Sequence, residues 1–311
     1  MSALFFCGTI LFTNQLFAKC DSTIYADEIF ALNETKDTQH HGKIIAWTYS
    51  GNIFLLDENL CLIREIKIPH VSISDVKQHA GSLYAVATKT AKNSEIESEI
   101  IQYDIANGKR KQRWSDPEYY IWSLSVDENK VVAISSQGDL LGLGVNGFEP
   151  GDKYQRNSHY FPVSGAEPII CTAPNLTKLN WKSASCYRKG KFAWRTDGGW
   201  RNMSPPFLCH NYLIEKNVES GENEGNVAVI NISNGHKIIA YKANDISALT
   251  CIDTGIAYAS ESLIVIHNLP DLKKIYTVPT DSNAINAIAK IGNLMFYVDD
   301  MRKIHKCILK D

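Results

Sequence analysis

The chain has 311 residues, 44% hydrophobic and 21% charged, which gives enough apolar surface for a sizeable core and excludes a wholly disordered protein. Its 32 basic and 34 acidic side chains leave a formal charge of −2, which excludes nucleic-acid binding driven by bulk positive charge. Residues 2–18, SALFFCGTILFTNQLFA, carry no charged side chain. Thr9, Thr13, Asn14 and Gln15 interrupt the run, which is too short and too polar to span a bilayer. With Ala18 as a small residue at the cleavage point, the pattern predicts a secretory signal over 1–18, although no Lys or Arg precedes it. The mature chain, 19–311, is then a single extracytoplasmic domain. No later stretch is long and apolar enough for a membrane span.

From residue 29 onward the chain reads as short strands rich in β-branched and aromatic residues, separated by turn formers. The first unit has strands beginning at Ile29, Lys43, Asn52 and Leu62; the second at Ile73, Ser82, Ile100 and Lys109; the third at Ile121, Lys130 and Leu140. The clearest unit, 246–278, reads ISALTCI, IAYAS, LIVIHNL and KKIYTV, and a last unit begins at Ile285, Leu294 and Lys303. The first strands share a form: Ile29-Phe-Ala-Leu32, Ile73-Ser-Asp-Val76, Ile121-Trp-Ser-Leu124, Ile246-Ser-Ala-Leu249 and Ile285-Asn-Ala-Ile288. The small third residue suits a strand crowded against its neighbours near a central axis.

The starts of these strands are 44, 48, 125 and 39 residues apart. A four-stranded propeller blade takes about 40–50 residues, so the long interval holds three. The count predicts an all-β, seven-bladed β-propeller, with two unassigned blades between about residues 165 and 243. Asp104-Ile-Ala-Asn-Gly108, Asn231-Ile-Ser-Asn-Gly235 and Asn268-Leu-Pro-Asp271 recur as the turn between third and fourth strands.

The last unit shows three strands, and an exposed third strand would be an open edge. The segment 20–25, CDSTIY, is expected to close the ring by pairing with 303–309. That pairing would bring Cys20 and Cys307 within disulfide reach. Removing the signal leaves seven cysteines, an odd number, so one is expected to stay free or to pair with another chain. No Cys-x-x-Cys occurs, which argues against a zinc ribbon or a thioredoxin-type site. Four N-x-S/T sequons begin at Asn33, Asn175, Asn202 and Asn231, a number that chance supplies.

In Tyr103-Asp104-Ile105-Ala106-Asn107-Gly108-Lys109 and Gly190-Lys191-Phe192-Ala193-Trp194 the chain resembles secreted and periplasmic β-propellers of the quinoprotein and WD-repeat types. The Trp-Asp ending of WD repeats is absent, and the Gly-Lys-x-x-Trp element occurs once. The resemblance implies a scaffold or a cofactor-holding propeller.

The linkers into the inner strands and the loops between second and third strands lie on one face, which is where propellers bind. They carry His70, Tyr119, Tyr120, Asp245, Asp281 and Asp300. Tyr119, Tyr120 and His70 are candidate ligand contacts. Asp245, Asp281 and Asp300 are the candidate ligands for calcium or another divalent metal, against the commoner role of Asp as a turn residue. The stretch 187–201 is dense in Trp and Arg, and Trp200 and Arg201 beyond its Asp-Gly-Gly turn are candidates for binding a glycan or an anionic protein surface. Two polar stretches, 89–98 and 215–225, are expected to be loop insertions. No catalytic motif is legible and no cofactor is expected. The sequence therefore favours a non-enzymatic binding or scaffold propeller with a protein or a glycan as partner. The alternatives are a lactonase-like hydrolase or quinone-dependent oxidoreductase with a polar axial funnel, and a lectin-like module.

Overall fold

The computed structural model describes residues 29–34, 43–90, 96–126, 130–135, 140–144, 150–154, 158–161, 169–172, 185–188, 191–195, 207–218, 224–244, 246–280, 282 and 284–309. The described residues are all-β and form seven antiparallel sheets in chain order. The first sheet holds β1 (Ile29–Glu34), β2 (Ile44–Thr48), β3 (Asn52–Leu56) and β4 (Leu62–Lys67). The second holds β5 (Ser72–His79), β6 (Ser82–Thr90), β7 (Ile96–Asp104) and β8 (Arg110–Ser115). The third holds β9 (Ile121–Val126), β10 (Lys130–Ser135), β11 (Leu140–Gly144) and β12 (Pro150–Tyr154). The fourth has β13 (Ser158–Phe161), β14 (Ile169–Thr172), β15 (Ser185–Arg188) and β16 (Lys191–Arg195). The fifth has β17 (Phe207–Cys209), β18 (Tyr212–Val218), β19 (Glu224–Asn231) and β20 (Lys237–Asn244). The sixth has β21 (Ile246–Ile252), β22 (Gly255–Ser260), β23 (Leu263–Asn268) and β24 (Lys274–Pro279), and the seventh β25 (Ile285–Ile291), β26 (Leu294–Asp299) and β27 (Ile304–Ile308).

The shared form of the first strands has a structural meaning that packing alone does not supply. In each of β1, β5, β9, β21 and β25, the register shifts between the leading Ile and the residue two places on, which is Ala or Ser except for Asp75 in β5. The strand thus carries one unpaired residue and bends where it enters the ring, as β-bulges do. Ala248 and Ala287 stand just past the bulge and are buried.

Each sheet meets the next. Ile45, Trp47, Ile53 and Leu55 of the first pack with Ile73, Val76, Leu83 and Ala85 of the second. Tyr84, Val86 and Ile100 of the second meet Ile121, Leu124 and Val131 of the third. β11 touches β13 of the fourth sheet. The fourth sheet reaches the fifth through Trp194, whose Nε1–H donates to the Ile232 carbonyl over 2.9 Å. Gly235 lies at φ +73 beneath that indole, and a Cβ there would fall 2.7 Å from its ring atoms. Val227 and Val229 of the fifth pack on Ile256 and Tyr258 of the sixth, and Ala257, Ile264 and Ile266 of the sixth face Ile288, Met295 and Tyr297 of the seventh. Finally Ala287, Phe296 and Val298 of the seventh pack on Ile44, Ala46, Phe54 and Leu56 of the first. Together these contacts give the β-propeller architecture.

The expected turns recur as read. Asp104 and Asn231 end their strands and accept from Gly108 N–H and Gly235 N–H over 2.8 Å each, with both glycines at positive φ. Two readings need correction. The fourth sheet begins at Ser158, ahead of the interval assigned to the missing blades, because its strands are only 4 or 5 residues long and each is too brief to show a period. In the polar stretches 89–98 and 215–225 the described residues are strand. Thr90 pairs with Ile96 and Val218 with Gly225, so the hairpins extend past the core, and a Lys89–Glu97 ion pair of 3.0 Å crosses the first. Antiparallel pairing needs no apolar side chains to continue. Among the described cysteines, Cys209 and Cys251 form a disulfide, and Cys61, Cys186 and Cys307 are disulfide-bonded as well. Cys186 stands opposite Cys171 on the adjacent strand. The segment 1–28, with the expected signal, the closing strand and Cys20, lies outside the described residues.

Candidate functional site

The meander order puts the linkers between sheets and the loops between second and third strands on one face. Three of these segments meet where the first and seventh sheets adjoin. In the loop from β2 to β3, Thr48 Oγ1 accepts from the Asn52 N–H over 3.2 Å and lies 2.9 Å from Ser50 Oγ. Gly51 sits at φ +96, and a Cβ there would come within 2.2 Å of the Ile68 carbonyl oxygen and 3.2 Å of that of Val71. The loop is therefore pressed against the linker carrying His70, which is itself exposed at φ 61. This arrangement turns Tyr49 outward, leaving it 47% exposed. Partial burial raises the Tyr49 phenol above its ordinary pKa, while the Arg302 guanidinium acts in the opposite direction.

Arg302 comes from the turn between β26 and β27. Asp299 builds this turn: its N–H donates to the Lys303 carbonyl over 3.1 Å, its carbonyl accepts from Arg302 N–H over 3.1 Å, and its Oδ1 accepts from Lys303 N–H over 2.8 Å. Oδ2 lies 2.7 Å from His305 Nε2, and the His305 ring stacks on Tyr297 with centroids 4.7 Å apart. The Asn286 amide also donates to the Asp299 carbonyl, over 2.7 Å. Asp300 Oδ1 lies 3.1 Å from Ser282 Oγ, whose single proton is shared with the Ala284 carbonyl at 2.8 Å. A turn held so firmly projects Met301, which is 70% exposed.

Of the residues expected from sequence, His70 and Asp300 fall in this region. Asp300 is engaged with Ser282, in the turn-residue role. Tyr119 and Tyr120 lie on the next linker. Tyr119 packs on the core between the second and third sheets, and its carbonyl accepts from Ser98 Oγ over 3.1 Å, while Tyr120 is exposed. Asp245, Asp281, Trp200 and Arg201 lie outside the described residues. In the Trp- and Arg-rich stretch, Trp194 is buried against the fifth sheet, and Phe192 is exposed edge-on to Tyr187 at 6.1 Å.

Tyr49, Met301 and Arg302 were not singled out from the sequence. Their signal was available in principle, since each follows a second strand on the face that carries the linkers. Nothing in the local sequence, however, says that loops 250 residues apart share a seam.

No protein-family model matches the chain, and no curated protein matches it. Solved structures do. The β-propeller domain of Cps50 (Swd1) from Myceliophteria thermophila superposes with a TM-score of 0.66 at 9% identity, covering 91% of this chain and 97% of that one. The WD40 β-propeller domain of Doa1 gives 0.63 at 9% identity, with 92% and 94% covered. BamB from Moraxella catarrhalis gives 0.56 at 14% identity, with 90% and 96% covered. At such identities the likeness is one of fold, and the chain is a β-propeller loosely similar to WD40 and BamB-type propellers.

Proposed function

We propose that the protein is a non-enzymatic, extracytoplasmic propeller that binds a protein partner on the face carrying Tyr49, His70, Met301 and Arg302. One contrast carries the reading. The groups with chemistry to offer, Asp299, Asp300 and His305, are spent on holding a turn, whereas Tyr49 and Met301 are exposed, with Arg302 half-buried near Tyr49. Tyr, Met and Arg are the residue types enriched at protein interfaces, because they offer large contact area and forked donors at low ordering cost. The likeness to WD40 propellers supports a protein rather than a glycan. The disulfides support an oxidising compartment.

A photo-crosslinking side chain at position 301 tests this, with position 233, on the opposite face, as control. The expected result in the protein's native extract is a discrete adduct from 301, absent from 233 and weakened by Tyr49→Ala. Equal adducts from both faces, or none from 301, would overturn the reading.

A further inference from the structure

On the opposite face, three ligand-type side chains come together at the seam of the fifth and sixth sheets. β17 ends at Cys209, the turn after it carries His210, and Cys251 lies on β21. One ligand atom from each lies within 4.8 Å of the other two. Cys209 and Cys251 are joined as a disulfide with their Cα atoms 5.3 Å apart. His210 Nε2 lies 3.1 Å from the Ile252 carbonyl oxygen. A carbonyl only accepts, so Nε2 carries the proton and the neutral ring keeps its lone pair on Nδ1. A backbone carbonyl holding one ring N–H is the usual way a protein orients a metal-binding imidazole. Cys209 is buried, Cys251 half-buried and His210 exposed, so the cluster opens to solvent on one side.

We infer that Cys209, His210 and Cys251 form a redox-gated cation site, closed as the disulfide and opened by reduction to bind a borderline-soft divalent cation such as Zn²⁺. The opening step balances with a small dithiol as reductant. The dithiol gives up two electrons and two protons and becomes a cyclic disulfide, while the Cys209–Cys251 S–S bond breaks and both sulfurs become thiols. The cation then forms two metal–sulfur bonds, the two thiol protons pass to solvent, and the imidazole lone pair supplies the third ligand. A water completes four-coordination. Sulfurs on one tetrahedral cation lie about 3.8 Å apart, a separation that side-chain rotation supplies.

The test uses the full chain, reduced anaerobically with a dithiol, freed of reductant and titrated with Co²⁺ and then Zn²⁺. Sulfur-to-cobalt charge-transfer absorbance and competition against a chromophoric chelator are the readouts. A Cys209→Ser/Cys251→Ser variant treated identically accounts for the other cysteines. Reduced wild type is expected to take up one equivalent more than that variant, and oxidised wild type to show no charge-transfer band. His210→Asn, which tolerates the positive φ of 53 at this position, is expected to weaken Zn²⁺ binding at least tenfold. Equal stoichiometry in wild type and double variant, or unchanged affinity in His210→Asn, would overturn the inference. If the double variant loses its native circular dichroism, His210→Asn decides, because it retains both sulfurs.

Discussion

In the second sheet Asp75, Ser82, Ser98, Glu99 and Gln102 are all buried; in the sixth, among the described residues, His267 is the one buried polar side chain. Both sheets are four-stranded meanders with the same inner-strand bulge. The second sheet tolerates its polar filling because each group meets a partner. Gln102 Nε2 donates to Ser82 Oγ and Tyr84 Oη over 3.0 Å each, Lys111 Nζ donates to Ser82 Oγ over 3.2 Å, and Glu99 pairs with Arg113. Ser98 Oγ accepts from Ile121 N–H over 2.6 Å and donates to the Tyr119 carbonyl, fixing the linker that presents Tyr120. Burying a polar group is costly only when it goes unpaired. The backbone ladder therefore sets the blade, and its interior is either oil or a closed network. The sixth sheet takes the first course and adds a covalent tie to the fifth.

Removing that tie has the largest expected effect. Cys209 and Cys251 are 42 residues apart, and on the chain-entropy model a loop of that size is worth about 4 kcal/mol. The Cys209→Ser/Cys251→Ser variant should lose roughly that much in chemical denaturation under non-reducing conditions. A loss near zero would mean that the apolar contacts between Val227, Val229, Ile256 and Tyr258 hold the seam unaided.

In the second sheet the corresponding tie is Asp75, which occupies the position that Ala248 fills in the sixth. Its Oδ2 accepts from Ser123 Oγ over 2.8 Å and from Leu124 N–H over 2.9 Å in the third sheet, and its Oδ1 lies 2.9 Å from Lys77 Nζ. Asp75→Ala would leave that hydroxyl and N–H without their acceptor, a cost of about 2–4 kcal/mol. Asp75→Asn, which keeps one acceptor oxygen, should cost less. If Asp75→Ala melts like wild type, the carboxylate is not what joins the two sheets, and the comparison with Ala248 collapses. The converse change, Ala248→Leu or Ala287→Leu, should destabilise by about 1–3 kcal/mol through overpacking beside the bulge. A neutral thermal melt would show that the bulge leaves space there.

The inner-strand form, Ile followed two places on by a residue that is small in four of five cases, was legible because five of the seven sheets bend in the same way at the same place. What it could not tell was that Asp75 departs from Ala for a reason: its partners, Ser123 and Leu124, are 48 and 49 residues away in the next repeat. The 42-residue spacing of Cys209 and Cys251 is also about one repeat, so their pairing was readable once the period was known. Taking cysteines by parity alone hid it. The fourth sheet was counted but its strands were not assigned, because strands as short as 158–161 carry little pattern. At the candidate site, His70 and Asp300 were found as loop residues, whereas Tyr49 and Arg302 become neighbours only when the ring brings its last sheet to its first.

The smallest expected effect concerns His267, the sixth sheet's lone buried polar side chain. Its Nδ1–H donates to the Leu272 carbonyl, and its Nε2 lies 3.4 Å from Tyr258 Oη, whose proton it accepts. That arrangement suits the neutral ring. Burial holds the His267 pKa below its ordinary 6.5, assisted by the positive charge of Lys274 and opposed by the bond to Leu272. A histidine with a depressed pKa in the folded state leaves the unfolded chain holding more protons in the window just below 6.5. Its contribution to stability is therefore complete above that pH and lost as the pH falls toward the folded-state value. His267→Asn keeps an N–H to donate to the Leu272 carbonyl but cannot be protonated. Thermal melts of wild type and His267→Asn from pH 8 to 5 should run parallel above about 6.5 and converge or cross below it, with wild type losing stability faster. Curves that stay parallel throughout would show that the sixth sheet accepts a charged imidazole. Its interior would then be as tolerant of charge as that of the second.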